Sequence, residues 1–309
     1  MAKKSKEKES DVLALYRTFE PMAKDADLAT ASDRLLKVHG YPRKPDKEKE
    51  PELHAYWEKF LKMKPRYKQA KLKIDKVLSR RNPLRKIGDK FSPSGWAGIV
   101  VQTSTLGLPA GTPATFVFGE WVVPEIYPTS GQLSSSQTVG LWVGIDGYGN
   151  DQVLQAGIAG TITGTSVDYW VWTEWYTSQY QDPAVRVTNF SIKPGDLISF
   201  IVCAAQQDYG LIFILNSTTN ESTSIGIDAR PGILSQGATV EWIVEGVSAD
   251  LPNFFAWTFS NAIAGERGNI FDLRPHGITT EITGSGGYNL TQSLIAGDGT
   301  GVVLWKLLE

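Results

Sequence analysis

From about residue 95 to the C-terminus the chain is a series of short runs in which β-branched and aromatic residues crowd together or alternate with polar ones. These include GWAGIVVQ, ATFVFGEWVVP, TVGLWVGIDGYGN, QVLQAGIAG, VDYWVWTEWY, DLISFIVCAA, GLIFILNSTTN, ATVEWIVEG, FFAWTFSNA and GVVLWKLLE. Clusters of Gly, Pro, Asn and Ser separate the runs at roughly ten-residue spacing, and no helical period intervenes, so the pattern predicts an all-β antiparallel sandwich or barrel. Residues 1 to about 90 have a different texture. They are rich in Lys and poor in Gly, Ser and Thr, and Pro51 to Lys64 places Leu53, Trp57, Phe60 and Leu61 at helical spacing behind a proline suited to a first turn. The expected organisation is a basic, partly helical segment over 1–90 and a β-sandwich over 91–309.

The two-residue period of a strand assigns each residue a face. In the run Gly237 to Gly246, Glu241, Ile243 and Glu245 share one side, and Val240, Trp242 and Val244 share the other. The second side reads as core, whereas the acidic first side needs another explanation. Applied elsewhere, the same period groups Trp142, Gly144 and Asp146. It sets Gln155 opposite Leu154 and Ala156, and it groups Asp168, Trp170, Trp172 and Glu174. Several strands thus carry a second face of tryptophan, carboxylate and amide in place of ordinary polar filler, a lining suited to an extended ligand.

Charge sharpens the division. The net charge of −2 over 309 residues combines a first 90 residues with 25 Lys and Arg against 14 Asp and Glu, a net +11, with a remainder of 6 against 19, a net −13. Thirteen basic residues between Lys59 and Lys90 would suit nucleic acid. An acidic partner in the same chain is the simpler reading, so no nucleic-acid partner is expected. No run of eighteen apolar residues is present, and no apolar stretch follows MAKKSKEKES, so neither a membrane span nor an export signal is legible. Cys203, the single cysteine, cannot form an intrachain disulfide.

The three histidines, His39, His54 and His276, give poor support to a histidine triad or a multi-histidine zinc site, and no phosphate-binding glycine loop sits between a strand and a helix. No cofactor or metal is expected. Chemistry by carboxylates and amides remains. Two readings of the residues fit it: a jelly-roll glycoside hydrolase using two opposed carboxylates such as Glu174 and Glu241, or a non-catalytic sandwich that binds carbohydrate or peptide.

Seven motifs in order, GWAGIVV, FGEWVVP, LWVGIDG, VLQAG, WTEWY, VEWIVEG and WTFSNA, span Trp96 to Ala262 and together resemble the glutamic peptidases of family G1, the eqolisins. The resemblance implies a jelly-roll-like sandwich of two seven-stranded antiparallel sheets and a pepstatin-insensitive endopeptidase that works in acid on protein or peptide substrates. It places a catalytic pair on Gln155 and Glu241, with Trp142, Asp146 and Glu174 as groove or supporting residues. Trp170 stands where some members carry aspartate. Trp170, Trp172 and Glu245 join the expected groove from the face pattern. Family members commonly carry a basic propeptide, so residues 1–90 are expected to act as an intramolecular inhibitor of a self-activating zymogen. Self-cleavage is expected in the Lys/Arg-rich stretch before Phe91. An acidic or extracellular working environment follows from the family alone.

Overall fold

The computed structural model describes residues 9–23, 26–78, 95–129, 136–248, 250–266, 269–271, 276–283, 288–296 and 300–306, together with the backbone of 84–87 and 90–93. Much of the Lys/Arg-rich stretch before Phe91, and most of the GSGGYN run, lie outside the described residues.

Strands β1 (Tyr16–Thr18), β2 (Arg66–Tyr67) and β3 (Leu72–Ile74) belong to the N-terminal segment, and β4 (Leu84–Ile87) and β5 (Lys90–Pro93) pair as a hairpin. There follow β6 (Trp96–Gln102), β7 (Phe116–Val122), β8 (Gln137–Ile145), β9 (Gln152–Thr163), β10 (Ser166–Thr177), β11 (Val185–Val187) and β12 (Leu197–Gln206). The remainder are β13 (Tyr209–Asn216), β14 (Glu221–Asp228), β15 (Thr239–Gly246), β16 (Ala256–Glu266), β17 (Asn269–Ile270), β18 (Gly277–Thr280), β19 (Thr291–Ile295) and β20 (Gly301–Trp305). One sheet runs β1-β14-β13-β12-β7-β16-β20-β19, with β17 on β16 and β2 on β14. The other runs β18-β6-β15-β8-β9-β10-β11-β3. All pairings in these two sheets are antiparallel except that of β2 with β14.

The sandwich forms because one face of each sheet is apolar at every second residue. Val139, Leu141, Val143, Leu154, Ala156, Val240, Trp242 and Val244 from the second sheet meet Val117, Trp121, Phe200, Val202, Ile212 and Ile214 from the first in a single buried core. Trp242 is held there by its indole N–H, which donates to the Phe118 carbonyl at 2.9 Å. The expected sandwich is present, and the sheets exceed seven strands partly because the N-terminal segment adds β1 and β2 to one and β3 to the other.

The helix expected after Pro51 spans Pro51–Met63 and ends at Lys64, whose left-handed φ of 50° stops it. Leu53, Trp57 and Phe60 are buried, with Leu61 beside them, against Phe116, Phe118, Ile201, Phe213, Leu215 and Ile263. These are residues of the first sheet's outer face, so the helix sits on the side of the sandwich away from β8, β9, β10 and β15. Tyr56 seals the contact with a 2.6 Å hydrogen bond to Ser199 and an edge-on approach to Phe118 at 4.6 Å. Ion pairs add to the docking: Arg17 pairs twice with Asp228, Lys68 reaches Glu221 at 2.7 Å, and Arg66 joins the same carboxylate. The charge asymmetry of the sequence is thus realised as contacts, although exposed pairs of this kind are each worth under about 1 kcal/mol. Apolar burial under the helix carries more. Phe60→Ala is expected to cost about 3–5 kcal/mol, read as a loss of amide hydrogen-exchange protection across residues 51–63.

Candidate active site

The face opposite the inter-sheet core on β6, β8, β9, β10 and β15 carries a second apolar cluster. It includes Trp96, Val100, Trp142, Val153, Ala159, Trp170, Trp172, Tyr176 and Ile243. The register of four neighbouring strands sets polar groups into this cluster in one transverse row. Glu241 lies opposite Gly144, Gly144 opposite Gln155, and Gln155 opposite Glu174. Adjacent strands are about 4.8 Å apart, so the Cα atoms of Glu241 and Gln155 are separated by about 10 Å across a residue with no side chain. A Cβ on Gly144 would stand 3.0 Å from the Trp142 ring and 3.3 Å from Gln155 Cβ. Glycine at that position leaves room for the Trp142 ring between the strands that carry the two side chains.

The neighbouring row reads Ile243, Trp142, Gly157, Trp172. Here too glycine separates bulky groups, and a Cβ on Gly157 would meet the Leu141 carbonyl oxygen at 2.0 Å, so only glycine permits this strand approach. The third row reads Glu245, Gly140, Ala159, Trp170. Large and small residues therefore alternate across the face, and the two-residue period has placed Trp142, Gln155, Trp170, Trp172, Glu174, Glu241 and Glu245 on one side as expected.

Each polar group has a distinct setting. Gln155 is fully buried and its Nε2 donates to Glu174 Oε2 at 2.7 Å, which fixes the amide plane, while its Oε1 has no hydrogen-bond partner. Glu241 is fully buried and neither carboxyl oxygen completes a hydrogen bond. Burial drives its pKa well above the ordinary glutamate value and the nearby Asp146 charge adds to this. The Thr239 hydroxyl and the Tyr148 backbone amide, which approach the carboxyl without completing a hydrogen bond, act in the opposite sense. Glu245 accepts from the Trp142 indole at 3.1 Å, and Trp96 meets Trp142 edge-on at 4.7 Å. Glu245 thereby orients a tryptophan of the face.

Asp146 departs from the strand alternation because β8 ends at Ile145 and Asp146 has a φ of 70°. Its carboxylate turns toward the loop before β15. There it accepts from Ser235 Oγ at 3.1 Å, from the backbone amides of Gln236 at 2.9 Å, Gly237 at 3.2 Å and Ala238 at 2.9 Å, and from Asn150 Nδ2 at 2.9 Å. It braces the turn that delivers Glu241 and does not line the face. At the other side Asp168 is exposed and bonded to Arg186 at 2.9 and 3.2 Å, and the Arg186 guanidinium lies 4.6 Å from the Trp170 ring. This pair forms a rim.

Sequence reasoning missed Arg186, Tyr176 and Leu78. Tyr176 falls two residues after Glu174 and the strand period could have found it. Arg186 and Leu78 arrive from separate segments, and only the sheet order brings them close. Leu78 is fully buried in the tryptophan cluster although it belongs to the N-terminal segment. Among the described residues no group of three or more His, Cys, Asp or Glu side chains could hold a metal ion. No described helix is long and apolar enough to cross a membrane.

The chain folds as a sandwich of two sheets, and the outer face of one of them carries a buried glutamate and a buried glutamine across one glycine. The chain belongs to the Peptidase A4 family, whose model matches residues 94–304, and it is a peptidase of the glutamic, G1 or eqolisin type. Among solved structures it is similar to scytalido-glutamic peptidase bound to a transition state analog inhibitor, with a TM-score of 0.56 and 22% identity, covering 69% of this chain and 98% of that one. It is also similar to SCP-B, an eqolisin in complex with the tripeptide Ala-Ile-His, with a TM-score of 0.53, 22% identity and the same coverages. At these identities the likeness speaks to the fold alone. The search of curated proteins returned no match.

The raised Glu241 pKa has a consequence for stability. A carboxyl whose folded pKa exceeds its unfolded value of about 4.3 contributes stability that is full below that value and lost as pH rises through the folded pKa. Glu241→Gln removes this loss. Full-length Glu241→Gln is therefore expected to be more stable than wild type in urea denaturation, by a margin that widens from pH 5 upward until the folded pKa is passed.

Proposed function

We propose that the protein is an acid-acting endopeptidase in which Glu241 serves as general base and then general acid and Gln155 as the oxyanion donor. The observation that carries this reading is the single row Glu241, Gly144, Gln155, with unpartnered buried oxygens on both functional side chains. The ionised fraction of Glu241, which the raised pKa keeps small in acid, takes a proton from a water as that water attacks the scissile carbonyl carbon. The Gln155 amide donates to the oxygen on which negative charge develops, and Glu241 returns the proton to the departing amine nitrogen as the C–N bond breaks. An amide does not titrate in acid, so Gln155 keeps its donor where a histidine would already be protonated. Glu174, hydrogen-bonded to Gln155, holds the donor in orientation. Pepstatin, aimed at aspartic dyads, has no target in this pair.

The same reading includes a zymogen. Residues 1–90 are proposed as an inhibitory segment and 91–309 as the catalytic domain. Most of the described N-terminal contacts lie on the far sheet and at sheet edges, but the segment also sends Leu78 into the face that holds Glu241. Acid supports release through Glu221. Burial pushes its carboxyl up, yet the hydrogen bonds and charges of Lys68 and Arg66 outweigh this and hold it below the ordinary range. The attraction is thus present above the unfolded glutamate pKa and is lost as pH falls through the depressed folded value.

Incubating full-length wild type, Glu241→Gln and Gln155→Ala between pH 2 and 7 tests both parts, with intact mass and digestion of a denatured protein in the presence of pepstatin as readouts. Wild type is expected to shed about ninety residues and then cut substrate in acid, the residue count being that of the basic segment. Gln155→Ala is expected to lose roughly 10²–10³ in kcat, as for removal of one oxyanion donor. Glu241→Gln is expected to do neither. Equal cutting by all three would sink the assignment.

A further inference from the structure

After β3 the chain does not continue along the sheet edge. The Asp75 amide donates to the Ala184 carbonyl at 2.8 Å, and Asp75 Oδ1 then accepts from the backbone amides of both Val77 and Leu78 at 2.8 Å. This is a side-chain-capped turn. Lys76 and Val77 point to solvent, while Leu78 is fully buried. It belongs to the buried cluster that also holds Trp96, Trp142, Trp170, Trp172, Tyr176 and Ile243. Ile243, Trp142 and Trp172 stand one same-face position, about 7 Å along their strands, from Glu241, Gly144 and Glu174 respectively. The pocket that holds Leu78 therefore adjoins the catalytic row.

We propose that this pocket is a substrate subsite for an aliphatic side chain, and that the Asp75-capped turn seats Leu78 in it as a stand-in that is held but not cut. The proposal rests on the peptidase reading. The named walls are aromatic or branched aliphatic. The cation at the rim, Arg186, is already bonded to Asp168, so an acidic substrate side chain would be desolvated without a partner. Leucine fits the chemistry of those walls. The turn explains why the occupant is inert: a peptidase that reads an extended chain needs the scissile carbonyl between Glu241 and Gln155, and the two Asp75 hydrogen bonds curl the backbone just before Leu78.

Full-length wild type, Leu78→Asp, Leu78→Met and Asp75→Ala are compared at pH 7 by acrylamide quenching of tryptophan fluorescence. After acid activation, cut positions on a denatured protein are read by mass spectrometry. Losing the burial of a leucine side chain should raise the open population about tenfold to a hundredfold. Leu78→Asp is expected to be quenched more strongly than wild type, Leu78→Met to match wild type, and Asp75→Ala, which folds with Leu78 intact, to fall between them. The cut sites should show Leu, Ile, Val and Met enriched at one fixed position relative to the scissile bond and acidic residues depleted there. Quenching of both Leu78→Asp and Asp75→Ala equal to wild type would overturn the proposal. So would cut sites with acidic residues favoured, or no preference, at every flanking position. If the quenching pattern appears but none of the four proteins cuts a peptide after acid, the aliphatic pocket stands and the peptidase reading is what fails.

Discussion

Glu241 presents a fully buried carboxyl group that completes no hydrogen bond, and its position depends on a framework that leaves it nowhere else to go. An unsatisfied buried carboxyl costs several kcal/mol even when neutral. The strand that carries it is pinned on both sides, by β6 and β8, and its opposite face is anchored in the core by Trp242. Asp146 fixes the loop that leads into this strand through three backbone amides and the Ser235 hydroxyl. The unfavourable setting of one carboxyl is thus offset by well-satisfied polar groups around it, a pattern expected where chemistry and not stability selects the residue.

The glycines of the face have the same logic in steric form. A sheet surface crowded with tryptophan would ordinarily fill itself. Gly144 and Gly157 prevent this by removing a side chain between the members of each row. The result is a face on which tryptophan rings pack over glycines, beside a buried carboxyl and a buried amide. Glu174 and Glu245 then act on orientation, one through the Gln155 amide and one through the Trp142 indole.

The N-terminal segment joins two tasks that could have been separate. Its helix covers an apolar outer face of the far sheet, while Leu78 is buried in the tryptophan cluster of the face that holds Glu241. The first contact is apolar and indifferent to pH. The second is tethered through β3 and a capped turn, and ion pairs that weaken in acid lie along the way.

How much of this was legible in the chain follows from how far each signal reaches. The alternation of VEWIVEG, LWVGIDG and DYWVWTEWY determined that Glu241, Trp142 and Glu174 face away from the core, because strand geometry is local and its period is fixed. The Pro51 helix was readable for the same reason, and the ordered motifs pointed to the family. Period alone could not determine which residues stand opposite one another. The row through Glu241, Gly144, Gln155 and Glu174 exists because β15, β8, β9 and β10 are neighbours in that order, which is a long-range choice of pairing. Asp146 escaped the alternation because a positive φ at the strand end turned it aside. Leu78 lies 163 positions before Glu241 in the numbering and reaches the same face through strand addition at an edge. The sequence by itself determined the faces and the chemistry they carry. Only the tertiary structure decided the partners across them, because hydrogen-bonded register joins residues that the chain keeps far apart.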